Sequence, residues 1–145
     1  MTTEHNRKAA RRIVLEVFNA GGAEMIDALF APGYVDHALP PQAPAGREGL
    51  KTMINVLRQA FPDLEYTIED QIAEGDKVAQ RLTGRGTMKG EFMGMPPTGK
   101  TAAWQEMHWH RFDASGLLVE HWDTTDSLGM LTQLGAGLPP GEGKP

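Results

Sequence analysis

Apolar residues recur at helical spacing through the first sixty positions of the chain, and after Pro62 the period drops to two. From Lys8 to Phe18, the residues Ala9, Ala10, Ile13, Val14, Val17 and Phe18 form one stripe with Arg and Glu between them, which predicts an amphipathic helix ended by Gly21-Gly22. A second, short helix is predicted from Ala23 to Phe30, burying Ile26, Leu29 and Phe30, with Pro32-Gly33 as its breaker. Tyr34-Val35-Asp36-His37 reads as a brief β-like stretch, and the proline-rich run at 39–44 reads as a loop. A third helix is predicted from Gly46 to Ala60, with Leu50, Met53, Ile54 and Leu57 on one side. It must stop before Pro62, whose ring disfavours a helical conformation at Phe61.

Beyond Pro62, Leu64, Tyr66 and Ile68 alternate with Glu65, Thr67 and Glu69, the signature of a half-buried strand. Glu74-Gly75-Asp76 turns the chain, and Lys77 to Thr87 returns as a second strand. A glycine-rich connection, Gly90 to Lys100, leads into two flanks rich in aromatic and β-branched residues, Trp104 to Phe112 and Leu117 to Asp126, separated by Asp113-Ala114-Ser115-Gly116. A four-residue loop there would pair Phe112 with Leu117, His110 with Val119, His108 with His121 and Glu106 with Asp123. That register puts Trp104, Glu106, His108, His110, Phe112, Leu117, Val119, His121 and Asp123 on one face. Leu128, Met130, Leu131 and Leu134 suggest a short closing helix. Helices followed by consecutive strands define an α+β domain, most simply a curved antiparallel sheet wrapped over a helical layer.

The hairpin face is unusual because it mixes an apolar wall with titratable groups. A solvated face would carry few large aromatics, and a plain core face would carry no carboxylates, since an unpaired buried charge is costly. A ligand pocket accommodates both kinds of residue.

At 145 residues the chain is long enough for one domain, expected over 1–135, with the Gly- and Pro-rich stretch 136–145 expected to be a flexible tail. The absence of cysteine excludes a disulfide framework, a thiolate metal site and a cysteine nucleophile. A net charge of −5, with scattered basic residues, argues against nucleic acid as a partner. No apolar run reaches spanning length and the N-terminal residues lack an apolar signal core, so no membrane partner and a cytoplasmic location are expected.

Gly94-Met95-Pro96-Pro97-Thr98-Gly99-Lys100-Thr101 matches the phosphate-loop pattern letter for letter. Pro96 and Pro97 have no N–H to aim at a phosphate, however, and a strand follows where that motif requires a helix; a turn at the pocket mouth is the better reading. His108-x-His110, with His121, Asp123 and Glu106 on the same face, could ligate a metal, yet the spacing suits a hydrogen-bonding pocket equally well, and no metal is assigned. His37 reads as a loop residue near the site, and the tryptophans as packing and pocket wall.

The chemistry then centres on Glu106 and Asp123. Two carboxylates facing one another in a dry cleft resist joint ionisation, which raises one pKa towards the range useful for proton transfer. Such a carboxyl can take a proton from a carbon flanked by carbonyls while His108 steadies the enolate, without a cofactor. A non-catalytic pocket of the same shape would have no reason to confine two acids, and a metal-dependent enzyme would retain its ion through purification.

The segments Gly46-Arg47-Glu48-Gly49-Leu50, Phe61-Pro62-Asp63-Leu64, Gly75-Asp76-Lys77-Val78, the run from Gly90 to Lys100, Glu120-His121-Trp122-Asp123 and Gln133-Leu134-Gly135 give the chain a family likeness. It resembles the SnoaL-like polyketide cyclases, also called ester cyclases. The resemblance implies the nuclear transport factor 2-like α+β barrel, with a conical pocket between three N-terminal helices and a bent sheet, in a dimer or tetramer. It implies intramolecular aldol condensation of a small hydrophobic carbonyl substrate, without cofactor, and places the acid/base aspartate on Asp123 and the pocket histidine on His108. Tyr34, Asp36, His37, Met88, Trp104, His110 and His121 are the expected substrate-binding positions. The chain departs from the cyclase pattern in carrying Glu106 for glutamine, Met88 for histidine and Asp36 for asparagine. Relatives of the same fold act as hydroxylases, isomerases or dehydratases, and these, a hydrolase, or a pocket that only binds its ligand, are the alternatives.

Overall fold

The computed structural model describes residues 2–136. From residue 137 onward the expected tail lies outside that range.

Helix α1 (Thr3–Arg12) starts earlier than its apolar stripe, because Thr2 caps it: the Thr2 hydroxyl accepts a bond from the His5 N–H at 3.0 Å. Glu4 in the first turn and Arg11 and Arg12 in the last complement the helix dipole. The helix runs on as a π-helical segment, Ile13–Asn19, whose end is tied to the sheet by Asn19: its side chain accepts from the Tyr66 N–H at 2.7 Å and donates to the Tyr66 carbonyl at 2.9 Å. A 3-10 turn (Ala23–Met25) leads into a short α2 (Ile26–Leu29). Phe30, expected to end this helix, instead opens strand β1 (Phe30–Asp36), which therefore contains Pro32 and Gly33. Proline is tolerated there because β1 is an edge strand.

Helix α3 (Gly46–Ala60) and strand β3 (Lys77–Thr87) have the bounds expected of them. Strands β2 (Glu65–Glu74), β4 (Thr101–Phe112) and β5 (Leu118–Thr125) and helix α4 (Ser127–Leu134) complete the chain. The sheet order is β1-β5-β4-β3-β2, antiparallel from β5 to β2, with β1 added in parallel to β5. This mixed α+β architecture is the one the residue pattern and the resemblance implied.

The expected hairpin register needs correction. The β4–β5 register lies two residues from that predicted: His110 opposes His121, His108 opposes Asp123, and Glu106 opposes Thr125 rather than Asp123. The loop covers five residues, 113–117, because the Asp113 side chain accepts from the N–H groups of Ser115 and Leu117 and organises a longer turn. A register irregularity follows between Arg111 and Phe112, so Leu118, not Leu117 or Val119, is the buried partner of Phe112. The shift is even, so the histidines and acids keep the face assigned to them.

Two apolar clusters fill the interior. One joins α1, α2 and α3 to Tyr34, Val78, Phe112 and Leu118; the other joins Val14, Phe61, Tyr66, Leu82, Trp104, Met130 and Leu134. Between them lies a cavity of about 200 Å³ whose polar wall comes from β3, β4 and β5.

Candidate active site

The alternation of β4 turns Trp104, Glu106, His108 and His110 inward in succession, and β5 presents His121 and Asp123 beside them. These groups form a continuous hydrogen-bonded line. The Trp104 indole N–H donates to Glu106 Oε2 at 2.7 Å, and Glu106 Oε1 lies 2.7 Å from His108 Nε2. His108 Nδ1 lies 2.8 Å from His121 Nε2, and His121 Nδ1 lies 3.0 Å from Asp36 Oδ1. Asp36 is fixed in turn by the Tyr34 hydroxyl at 2.8 Å and the Ala38 N–H at 2.9 Å. Asp36 reaches the site because β1 lies beside β5, which places it opposite His121.

The protons on this line can be counted. Burial opposes ionisation of Glu106, but the hydrogen bond and charge of His108, with the bonds from Trp104 and Tyr66, outweigh it and hold the carboxyl below its usual range. Asp36 is likewise held low: burial works against it, and the hydrogen bond and charge of His121, then Ala38 N–H and Tyr34, prevail. Tyr34 is pushed up by burial and by the Asp36 charge, so it stays a phenol and donates. With both carboxylates ionised, His108 Nε2 and His121 Nδ1 each carry a hydrogen, and the bond between the two inner nitrogens requires one more. Each of the three contacts along the line therefore needs one hydrogen, which makes His108 and His121 a linked pair of donors.

Asp123 differs from the other two acids. Its Oδ2 lies 3.9 Å from His108 Nδ1 and 3.6 Å from His121 Nε2, and among the described residues its carboxylate accepts no hydrogen bond. Burial raises its pKa, repulsion from Glu106 and Asp36 adds to the rise, and attraction from His108 and His121 only partly offsets it. The separation of acid behaviours expected for Glu106 and Asp123 thus exists, but burial is its main cause and a histidine stands between the two acids.

Of the other expected pocket residues, Tyr34, His110 and His121 line the cavity with Glu106, His108 and Asp123. Trp104 lies beneath that wall as the donor to Glu106, which is possible because Gly84 opposes it: a Cβ on Gly84 would meet the indole at 2.7 Å. Met88 is packed in the second core cluster and is not part of the cavity lining. His37 is outside as well, stacked on Trp122 at 4.8 Å and bonded to Glu120 at 2.8 Å on the surface. The turn after Gly90 contributes Phe92 and Met93 to the lining, while Pro96 and Pro97 stay exposed.

Gln80 was not anticipated. It is 2 % exposed, accepts from His110 Nε2 at 3.0 Å, and donates to Gln71 at 2.6 Å. A signal existed in the inward set Val78, Gln80, Leu82, where a polar side chain interrupts the apolar alternation of β3.

Fold and site together define a small α+β cone of the nuclear transport factor 2-like type, closed around an apolar cavity with one acid/base wall. The chain belongs to the SnoaL-like polyketide cyclase family, whose pattern matches residues 8–134. It is 29 % identical over 132 residues to the nogalonic acid methyl ester cyclase of Streptomyces nogalater, covering 90 % of this chain and 98 % of that one. It is 30 % identical over 138 residues to the aklanonic acid methyl ester cyclase DnrD of Streptomyces peucetius, covering 91 % and 92 %. Among solved structures, TsrD from Streptomyces laurentii superposes with a TM-score of 0.85 at 27 % identity, covering 94 % of this chain and 99 % of that one.

Proposed function

We propose that the chain closes a ring in a polyketide-type ester by intramolecular aldol condensation, with Asp123 as the acid/base. The observation that carries this reading is an unbonded, partly desolvated carboxylate on the cavity wall, beside the hydrogen-bonded pair of His108 and His121. Asp123 takes a proton from a carbon flanked by carbonyls; the C–H electron pair moves onto the carbonyl oxygen, giving an enolate. The enolate carbon attacks a second carbonyl of the same molecule, a C–C bond forms, and the new alkoxide recovers the proton from Asp123. Substrate and product are isomers, so the sequence consumes no oxidant, reductant or co-substrate.

The N–H donors of the His108 and His121 pair face the developing oxyanion, which is where fixed donors in a water-poor site are most effective. Both nitrogens of His108 are already engaged, so it donates to the enolate by exchanging its bond to His121 for one to the substrate oxygen. Glu106 and Asp36 hold the two rings in place through their outer nitrogens. The cavity is smaller than the roughly 300–1,000 Å³ of common ligand sites, so a multi-ring substrate would insert its reacting end and leave the remainder at the mouth.

The reading includes a cytoplasmic homo-oligomer, and exposed Ile72, Met107 and Trp109 on the outer face of the sheet support the oligomer; light scattering of the purified protein tests it. The test of the activity is incubation with nogalonic and aklanonic acid methyl esters, the compounds named for two relatives. A ring-closed product of unchanged mass supports the proposal, and hydrolysis or mass gain of oxygen contradicts it.

A further inference from the structure

The three inward histidines share one feature, and the proton chemistry leaves the third of them, His110, unused. Each has one ring nitrogen tied to an oxygen acceptor: His108 Nε2 to Glu106 at 2.7 Å, His121 Nδ1 to Asp36 at 3.0 Å, and His110 Nε2 to Gln80 at 3.0 Å. The Gln80 amide is itself oriented, because its NH2 donates to Gln71 at 2.6 Å, which leaves its oxygen to accept from His110. His110 is therefore the Nε2–H tautomer. Its Nδ1 lone pair is buried and has no partner, in a residue 4 % exposed. An unmatched lone pair on a buried ring costs free energy unless something occupies it.

One ring nitrogen from each of His108, His110 and His121 lies within 4.8 Å of one from each of the others. The ring centroids are 5.0, 5.0 and 5.9 Å apart and the ring planes differ by 22 to 28°. Orientation of each ligating histidine by an acceptor on its other nitrogen is the usual support of a metal site, and here all three have it.

We infer that His108 Nδ1, His110 Nδ1 and His121 Nε2 form a binding site for a divalent transition ion of the zinc class. The ion would replace the hydrogen between His108 and His121. It requires those two nitrogens, now 2.8 Å apart and facing one another almost in line, to open to about 3.3 Å and both rings to pivot until their lone pairs converge, as tetrahedral geometry demands. Asp123, at 3.9 Å from His108 Nδ1 and 3.6 Å from His121 Nε2, is not one of the three ligands and stays available as the base. Three neutral imidazoles suit Zn2+, Co2+, Ni2+ or Cu2+ and disfavour Mg2+ or Ca2+, which prefer oxygen. This inference goes beyond the cyclase reading and does not depend on it, because binding is read without substrate.

The test is titration of chelator-stripped, untagged protein with Zn2+ against a chromogenic chelator, and with Co2+ by visible absorption. One equivalent per chain and a four-coordinate cobalt spectrum are expected. His110→Ala should weaken binding by at least tenfold, and Gln80→Leu, which leaves all three ligands in place, by about 10–100-fold. The surface double variant His5→Ala/His37→Ala should bind as the unsubstituted protein does. Failure to bind one equivalent, binding undiminished in both the His110 and Gln80 variants, or loss of binding in the surface double variant would overturn the assignment.

Discussion

His108 Nδ1 and His121 Nε2 stand 2.8 Å apart at the centre of a line that begins and ends in a carboxylate. Neither ring alone can satisfy its neighbours, since the three contacts of the line need hydrogens placed in concert. The pair is one functional unit. His121→Ala is therefore expected to reduce turnover about as much as His108→Ala, with the double variant little worse than either, because groups acting together are not additive. Kinetics of the three variants check this; additive losses would separate the two residues.

The two outer carboxylates govern acid stability. Glu106 and Asp36 have folded-state pKa values below their unfolded ones, so their contribution is present above the unfolded carboxylate range and is lost as pH falls through the folded values. Denaturant melts from pH 7 down to 3 are expected to lose stability progressively below about pH 4. The double variant Asp36→Asn/Glu106→Gln should start lower at pH 7 and show a flatter acid limb.

Asp123 carries the opposite sign. Its folded pKa is raised, so its charge opposes folding above that value, and the cost vanishes below the unfolded value. Asp123→Asn is expected to raise Tm at pH 7 while removing activity. Differential scanning calorimetry at pH 7 and pH 3 checks the sign, with the gain shrinking at the lower pH.

Gly84 is required by the indole of Trp104. Gly84→Ala would place a methyl carbon 2.7–2.8 Å from Trp104 and Tyr66, and overpacking of this kind costs about 1–3 kcal/mol. It also pushes the indole off Glu106. Trp104→Phe keeps the bulk but leaves the 8 % exposed Glu106 side chain without that donor, at a cost of about 1–3 kcal/mol. Chemical denaturation of both variants gives these losses directly.

Much of the site was legible because strand alternation is a short-range rule. Trp104, Glu106, His108 and His110 could be assigned to one face from spacing alone, and β3 and α3 from their own punctuation. The register across the hairpin was not, because it depends on the Asp113 side chain building a five-residue turn and on the irregularity at Phe112. Nor could the pairing of β1 with β5 be read, since Asp36 and His121 are joined by a parallel contact between distant segments. Met88 and His37 looked like site residues by position in a pattern, whereas packing against the second core cluster and stacking on Trp122 decide where their side chains go.

The central claim is that Asp123 removes the proton from carbon. The most direct measurement is steady-state turnover of aklanonic acid methyl ester by Asp123→Asn protein whose circular dichroism matches that of the unsubstituted chain. A fall in kcat of about 10²–10⁴-fold is predicted; turnover within a few-fold of the unsubstituted protein would contradict the account.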